Sequence, residues 1–97
     1  MEHKLENGVL TLFFKGDLNS SNSEQIEEEI EKILGANKFQ SIVLDFAELR
    51  YISSAGLRII LKIKKEHDDT KVVKVNKDVY DIFEMVGFSS VITIERA

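Results

Sequence analysis

The chain lacks cysteine, proline and tryptophan, and its 97 residues include only two histidines and five glycines. Without cysteine there is no disulfide, no thiolate nucleophile and no cysteine metal site. No apolar run approaches the roughly 18 residues that a membrane span needs. No charged segment precedes an apolar one, as it would in a secretory signal peptide. These absences predict a cytoplasmic protein with no membrane insertion and few means of catalysis.

The charge balance argues against one large class of partner. Thirteen basic and seventeen acidic side chains give a formal net charge of −4, so we expect no binding to nucleic acid. The hydrophobic share of 43% is enough for one core in a chain of this size. We therefore expect a single domain over residues 1–97.

The start of the chain predicts a β-hairpin. Asn7 and Gly8 both tolerate the positive φ of a type I′ turn, which would join a strand at 3–6 to a strand at 9–15. The second strand is too apolar for one exposed face, so we expect it well inside a sheet. Gly16 is expected to end it, followed by a polar loop over 17–22.

In the rest of the chain, segments whose apolar residues have helical spacing alternate with short apolar segments typical of strands. Ser21 and Glu24 fit a capping box at the start of a first helix, and Gly35 fits the left-handed residue that ends one. The further predicted elements are a strand at 41–46, a loop at 47–54, a helix at 55–67, a strand at 71–75, a helix at 79–86 ended by Gly87, and a strand at 90–95. The predicted fold is α/β, a mixed and mostly parallel sheet with helices packed on it, in the order β-β-α-β-α-β-α-β.

No catalytic set emerges from these elements. Neither His3 nor His67 stands beside a nucleophile at a strand end, and His67 fits the end of a helix. The glycines are scattered singly and form no phosphate-binding loop. Asp17 and Asp45 both lie near strand ends, but a turn role suits Asp17 better. We expect no enzyme, no metal and no cofactor.

One segment, from Tyr51 to Arg58, places two adjacent hydroxyls where a loop becomes a helix. Serine is a good helix N-cap, worth about 1 kcal/mol over alanine, and that explanation is sufficient for either Ser53 or Ser54. The other interpretation makes Ser54 a phosphorylation target. A phosphate there would face the free amides of a helix start and add about −1.5 to −2 charges.

The stretches 41–46 and 49–58 resemble the signature of STAS domains, which sulfate transporters share with bacterial anti-sigma factor antagonists. Gly16-Asp17-Leu18 is similar to the loop that follows a strand in that family, and residues 83–88 are similar to its last helix. The resemblance covers essentially the whole chain. Its length is similar to that of the stand-alone antagonists.

The resemblance implies partner switching. The unphosphorylated antagonist binds an anti-sigma factor that is also a serine kinase, the kinase modifies a serine at a helix start, and a serine phosphatase restores binding. The family pattern is usually Asp-Ser-(Ser/Thr/Ala)-Gly-Leu. Aligned on Gly56-Leu57, its modified serine falls on Ser54, with Ser53 as a second acceptor in the place of the aspartate. Loss of that carboxylate would weaken kinase recognition, or would ease the repulsion of a phosphate.

The expected partner surface lies at one end of the sheet. If the strands are parallel, the loop after the second strand and the Ser54 turn share that end, and the exposed side of the following helix continues it. The candidate partner-binding residues are Asp17, Asn19, Ser20, Ser21, Ser53, Ser54, Gly56, Arg58 and Lys62. The alternative is a STAS adaptor subunit of a transporter or sensory complex without a phosphorylation cycle.

Overall fold

The computed structural model describes all residues 1–97. It contains five strands, three α-helices and one turn of 3₁₀ helix at Phe88–Ser90. The strands are β1 (Glu2–Glu6), β2 (Val9–Leu18), β3 (Ser41–Ile52), β4 (Thr70–Val75) and β5 (Thr93–Arg96), and the helices are α1 (Ser23–Ala36), α2 (Ser54–Glu66) and α3 (Lys77–Met85).

The strands form one sheet in chain order, β1-β2-β3-β4-β5. β1 runs antiparallel to β2, and the other three pairs are parallel. Asn7 and Gly8 have φ values of 52° and 80°, as a type I′ turn requires. The predicted hairpin and the mixed, mostly parallel α/β fold are therefore confirmed.

The core consists of nineteen buried apolar side chains that β2, β3 and α2 supply in the main. Along β2, the buried residues Leu10, Leu12 and Phe14 alternate with half-buried ones, so one face of the strand is fully covered. The Phe14 ring packs on Phe46 with centroids 5.1 Å apart, and Phe46 packs on Phe83 of α3 at 6.0 Å. This row ties α3 to the middle of the sheet.

Both predicted ends of α1 are wrong. The helix begins at Ser23 after Asn22, with no side-chain cap, so Ser21 and Glu24 form no capping box. The last helical residue is Ala36, which leaves Gly35 inside the helix. The side-chain amide of Asn37 instead donates to the Ile33 carbonyl at 2.8 Å, satisfying one of the free carbonyls of the last turn.

Two strands are longer than predicted. Gly16 has φ 68° and lies at an irregularity of β2, so it forms a bulge and does not end the strand. β3 continues to Ile52, so the predicted loop at 47–54 is wrong; its second half pairs with β2 between Lys15 and Leu18. The polar residues of that half are exposed because β4 pairs with β3 only as far as Asp45.

The last strand is shorter than predicted and begins later. Gly87 adopts φ 77° and the 3₁₀ turn follows it directly. The Ser90 hydroxyl donates to the Gly87 carbonyl at 2.8 Å, which holds Ser90 in the turn. β5 therefore covers Thr93–Arg96 and not 90–95.

Candidate functional site

The loop after β2 and the turn after β3 leave the sheet side by side. Leu18 and Ile52 are register partners and the last residues of their strands. The Ser53 amide then donates to the Leu18 carbonyl at 2.8 Å. The structure thus brings together the two segments that were expected to share one end of the sheet.

The two serines of the turn have different surroundings. Ser53 is the N-cap of α2, and its hydroxyl accepts from the Gly56 amide at 3.5 Å. Ser54 is the first helical residue, is exposed, and its hydroxyl makes no hydrogen bond in the chain. Because one serine is enough for the cap, the second hydroxyl is free for a reaction or a partner.

Gly56 allows α2 to begin close against the sheet. It is buried, and a Cβ at this position would lie 2.7 Å from Ile52 Cγ1 and 2.7 Å from Leu18 Cγ. No real Cβ approaches other atoms so closely. The glycine therefore contributes to the site by positioning the turn, and it has no side chain to offer a partner.

The loop between β2 and α1 is held by two asparagines. The Asn19 amide donates to Asn22 Oδ1 at 2.9 Å, and the Ser21 amide donates to Asn19 Oδ1 at 2.9 Å. Asn22 Nδ2 reaches back to the Asp17 carbonyl at 2.7 Å. Ser20 and Ser21 are exposed. These side-chain hydrogen bonds therefore fix the loop, and they leave its two serine side chains exposed to solvent.

Asn22 was absent from the candidate residues predicted from the sequence. Its side chain both accepts within the loop and donates to the end of β2, so it fixes where the chain leaves the sheet. The available signal was its place just before Ser23, because asparagine is among the residues most preferred at a helix N-cap.

The two candidate aspartates do not share a site. Asp17 lies in β2 and pairs with Arg50 at 3.5 Å, so its predicted turn role is wrong. Asp45 is buried, lies 3.5 Å from the Lys74 ammonium and accepts from the Ala47 amide at 2.9 Å. Its register partner on β2 lies four residues before Asp17, a separation of about 13 Å along the strand.

The exposed side of α2 carries Arg58 and Lys62. Lys62 lies between two carboxylates of α1, 3.3 Å from Glu27 and 3.4 Å from Glu31. The hydrogen bond to Glu27, with that to Glu31, raises the pKa of Lys62 above 10.5. Arg58 is exposed and has no carboxylate within 4.0 Å. The two predicted contact residues thus differ, since only Arg58 is unpaired.

Neither histidine joins this site. His3 lies in β1, and His67 is the C-cap of α2, with its ring 5.3 Å from Phe39. No group of three His, Cys, Asp or Glu side chains is placed to hold a metal ion. None of the three α-helices has both the length and the apolar character needed to cross a bilayer.

The model of the STAS domain family matches residues 1–97. The anti-sigma factor antagonist BtrV of Bordetella bronchiseptica is 33% identical over 94 residues, which cover 93% of this chain and 80% of that protein.

Solved structures share the fold. The crystal structure of an anti-sigma factor antagonist from Thermotoga maritima superposes with a TM-score of 0.88 at 19% identity, over 99% of this chain and 86% of that one. The Bacillus cell fate determinant SpoIIAA, solved in its phosphorylated form, gives a TM-score of 0.65 at 18% identity, over 96% of this chain and 90% of that one. The chain belongs to the STAS domain family, whose anti-sigma factor antagonists are regulatory proteins and not enzymes.

Proposed function

We propose that the protein is an anti-sigma factor antagonist that binds an anti-sigma factor with serine kinase activity and is released from it when Ser54 is phosphorylated. The observation that carries the proposal is the Ser54 hydroxyl, exposed and without a hydrogen bond at the first residue of α2. The name of the relative BtrV and the phosphorylated form of SpoIIAA support the same role.

The proposed modification is a phosphoryl transfer from ATP to Ser54. The Ser54 oxygen attacks the γ-phosphorus of ATP, the bond to the β,γ-bridging oxygen breaks, the hydroxyl proton passes to a base on the kinase, and ADP leaves. A serine phosphatase would return the hydroxyl by hydrolysis. The kinase holds the ATP, so this chain needs no cofactor.

The cap supports Ser54, and not Ser53, as the acceptor. The Ser53 hydroxyl is half-buried and already accepts from the Gly56 amide, so a kinase would have to displace that bond to reach it, whereas the Ser54 hydroxyl is exposed and unbonded. Aspartate and serine are both good N-caps, which explains why Ser53 can stand where the family pattern has aspartate. Phosphate on Ser54 leaves that cap in place.

The proposed partner surface combines the loop between β2 and α1, the turn between β3 and α2, and the exposed side of α2. Its members are Asp17, Asn19, Ser20, Ser21, Ser53, Ser54, Arg58 and Lys62, with Gly56 as the residue that positions them. α1 carries five glutamates and one lysine, while α2 carries one arginine, three lysines and one glutamate. A partner that covers both helices would therefore present basic groups to α1 and acidic groups to α2.

The test is a kinase assay with mass spectrometry. The protein is incubated with the serine-kinase anti-sigma factor of its own organism and ATP, alongside the Ser54→Ala and Ser53→Ala variants. We expect one phosphate, located on Ser54, in the wild type and in Ser53→Ala, and none in Ser54→Ala.

Stability controls separate loss of the acceptor from loss of the fold. Ser54→Ala should keep wild-type stability within about 0.5 kcal/mol because it removes no bonded group. Ser53→Ala should lose about 1 kcal/mol with its cap. Phosphate on Ser53 instead of Ser54 would make the assignment wrong. No phosphate at all, with stable capture by a transporter or sensory subunit, would favour the adaptor function.

A further inference from the structure

Arg58 is a cation without a partner near Ser54. Of the basic side chains on α2, Lys62 pairs with two glutamates of α1 and Lys64 pairs with Asp68. Arg58 and Lys65 have no carboxylate within 4.0 Å. Of these two, only Arg58 lies about one helical turn from the serine.

The spacing suits a contact between the two side chains. Residues four apart on a helix have Cβ atoms about 5–6 Å from each other, and an anion four residues before a cation is the favourable order. Both Ser54 and Arg58 are exposed, so neither must break a packing contact to meet. The planar guanidinium of arginine also binds two phosphate oxygens at once.

Neighbouring charges leave Arg58 free for this contact. Arg58 lines a groove between α1 and α2 together with Ser23, Glu27, Ala55 and Ile59. Glu27 is the acidic group of that groove, and its carboxylate is 3.3 Å from the Lys62 ammonium. Arg50, the basic residue at the end of β3, is paired with Asp17.

We propose that Arg58 is the internal counter-ion of a phosphate on Ser54. The inference depends on the proposed function for the phosphate itself. In the unmodified protein Arg58 is open to an acidic group of the partner. Once Ser54 is phosphorylated, the phosphate pairs with the Arg58 guanidinium. The modification therefore adds negative charge to the binding surface and also makes Arg58 unavailable to the partner.

The test measures the pKa of the phosphate directly. Phosphoserine is incorporated at position 54 during synthesis of the full chain, so no kinase is needed, and the ³¹P chemical shift is followed from pH 4 to pH 9. A nearby cation favours the dianion and lowers the second pKa of the phosphate, which is ordinarily about 6. Arg58→Gln should raise this pKa by about 0.5, a value that follows from one charge at about 5–6 Å in a water-like dielectric.

Lys65→Gln is the matched control, because Lys65 is an equally unpaired cation of α2 that lies almost two turns further along the helix. It should leave the phosphate pKa within about 0.1 of the wild-type value, because at that distance salt screens most of its effect. Equal pKa values in wild type and Arg58→Gln would overturn the inference, as would equal changes in the two variants.

The pKa titration tests the role of Arg58 and the kinase assay tests the proposed function, so either one can give a negative result without the other. If Arg58→Gln leaves the phosphate pKa unchanged while a kinase still modifies Ser54, only the counter-ion role is lost. If Arg58 controls the pKa but no kinase of the anti-sigma type modifies Ser54, the pairing stands and the proposed function is lost. The unphosphorylated Arg58→Gln protein should keep the wild-type thermal midpoint, which shows that the fold is unchanged.

Discussion

Replacement of Gly56 by alanine tests whether α2 is pressed against the sheet at the candidate site. The added Cβ would lie 2.7 Å from Ile52 Cγ1 and from Leu18 Cγ. Both side chains are fully buried, at 1% and 0% exposure, and the touching atoms lie close to the backbone. They cannot swing away as the end of a long side chain could, so the helix start must shift outward.

The expected cost follows from two opposing effects. Forcing an extra carbon into a packed core costs about 1–3 kcal/mol, and these contacts place Gly56 in the upper half of that range. Alanine recovers at most about 1 kcal/mol of helix propensity over glycine. Gly56→Ala should therefore lower the free energy of unfolding by about 1–2 kcal/mol.

Gly35→Ala provides a control of the opposite sign. Gly35 also lies inside a helix, and nothing stands within 4 Å of the Cβ it would gain. The substitution should stabilise the protein by about 0.4–1 kcal/mol. Urea titrations followed by far-UV circular dichroism give both values. A Gly56→Ala protein that gains as much stability as Gly35→Ala would refute the close approach of α2 to the sheet.

Two further predictions concern bonds that hold the helices. Lys62→Met should lower the thermal midpoint near neutral pH. Because the pKa of Lys62 is raised in the folded protein, its ion pair stabilises the fold below pH 10.5, and this stability is lost as the pH rises through the folded-state pKa. Melting curves from pH 7 to 12 should therefore show that the difference in thermal midpoint between wild type and variant narrows above pH 10.5. A difference that stays constant would exclude the ion pair as its cause. Asn76→Ala should lower the free energy of unfolding by about 2 kcal/mol. The reason is that Asn76 Oδ1 accepts from the Val79 amide at 2.8 Å and so caps α3, while Nδ2 donates to the Leu49 carbonyl at 2.8 Å. Asn76→Ser keeps a cap acceptor but lacks the Nδ2 donor, so it should lower the free energy of unfolding by about half as much in chemical denaturation; equal losses in the two variants would mean that the cap contributes nothing.

The order of elements was predictable because each one carries its own local signal. The positive φ tolerance of Asn7 and Gly8 marked the hairpin, and the alternation of strand and helix periods marked the parallel sheet. The expectation that the Ser54 turn and the loop after β2 share one end of the sheet followed from parallel strands alone, and the pairing of Leu18 with Ile52 agrees with it.

The features that were missed depend on contacts between distant parts of the chain. The second half of β3 has a loop-like pattern because β4 does not extend beside it, and only its pairing with β2 makes it a strand. Gly16 stands at a bulge that the sequence cannot distinguish from a strand end. The close approach at Gly56 depends on Leu18, far away in the chain.

The difference between the two serines likewise needed the structure. In the sequence both were good N-cap residues, and nothing local said which would serve. The Ser53 amide bonds to the Leu18 carbonyl, which sets Ser53 at the end of the sheet and makes Ser54 the first residue of α2. The pairing of β2 and β3 therefore decides which hydroxyl is free.

Binding calorimetry measures whether phosphate on Ser54 releases the protein from its anti-sigma factor. The unmodified chain and the chain with phosphoserine at position 54 are titrated into the same anti-sigma factor under identical salt. We predict that the unmodified chain binds and that the phosphorylated chain binds at least about tenfold more weakly, a loss of about 1.4 kcal/mol. Equal affinities of the two chains would contradict the proposed switch.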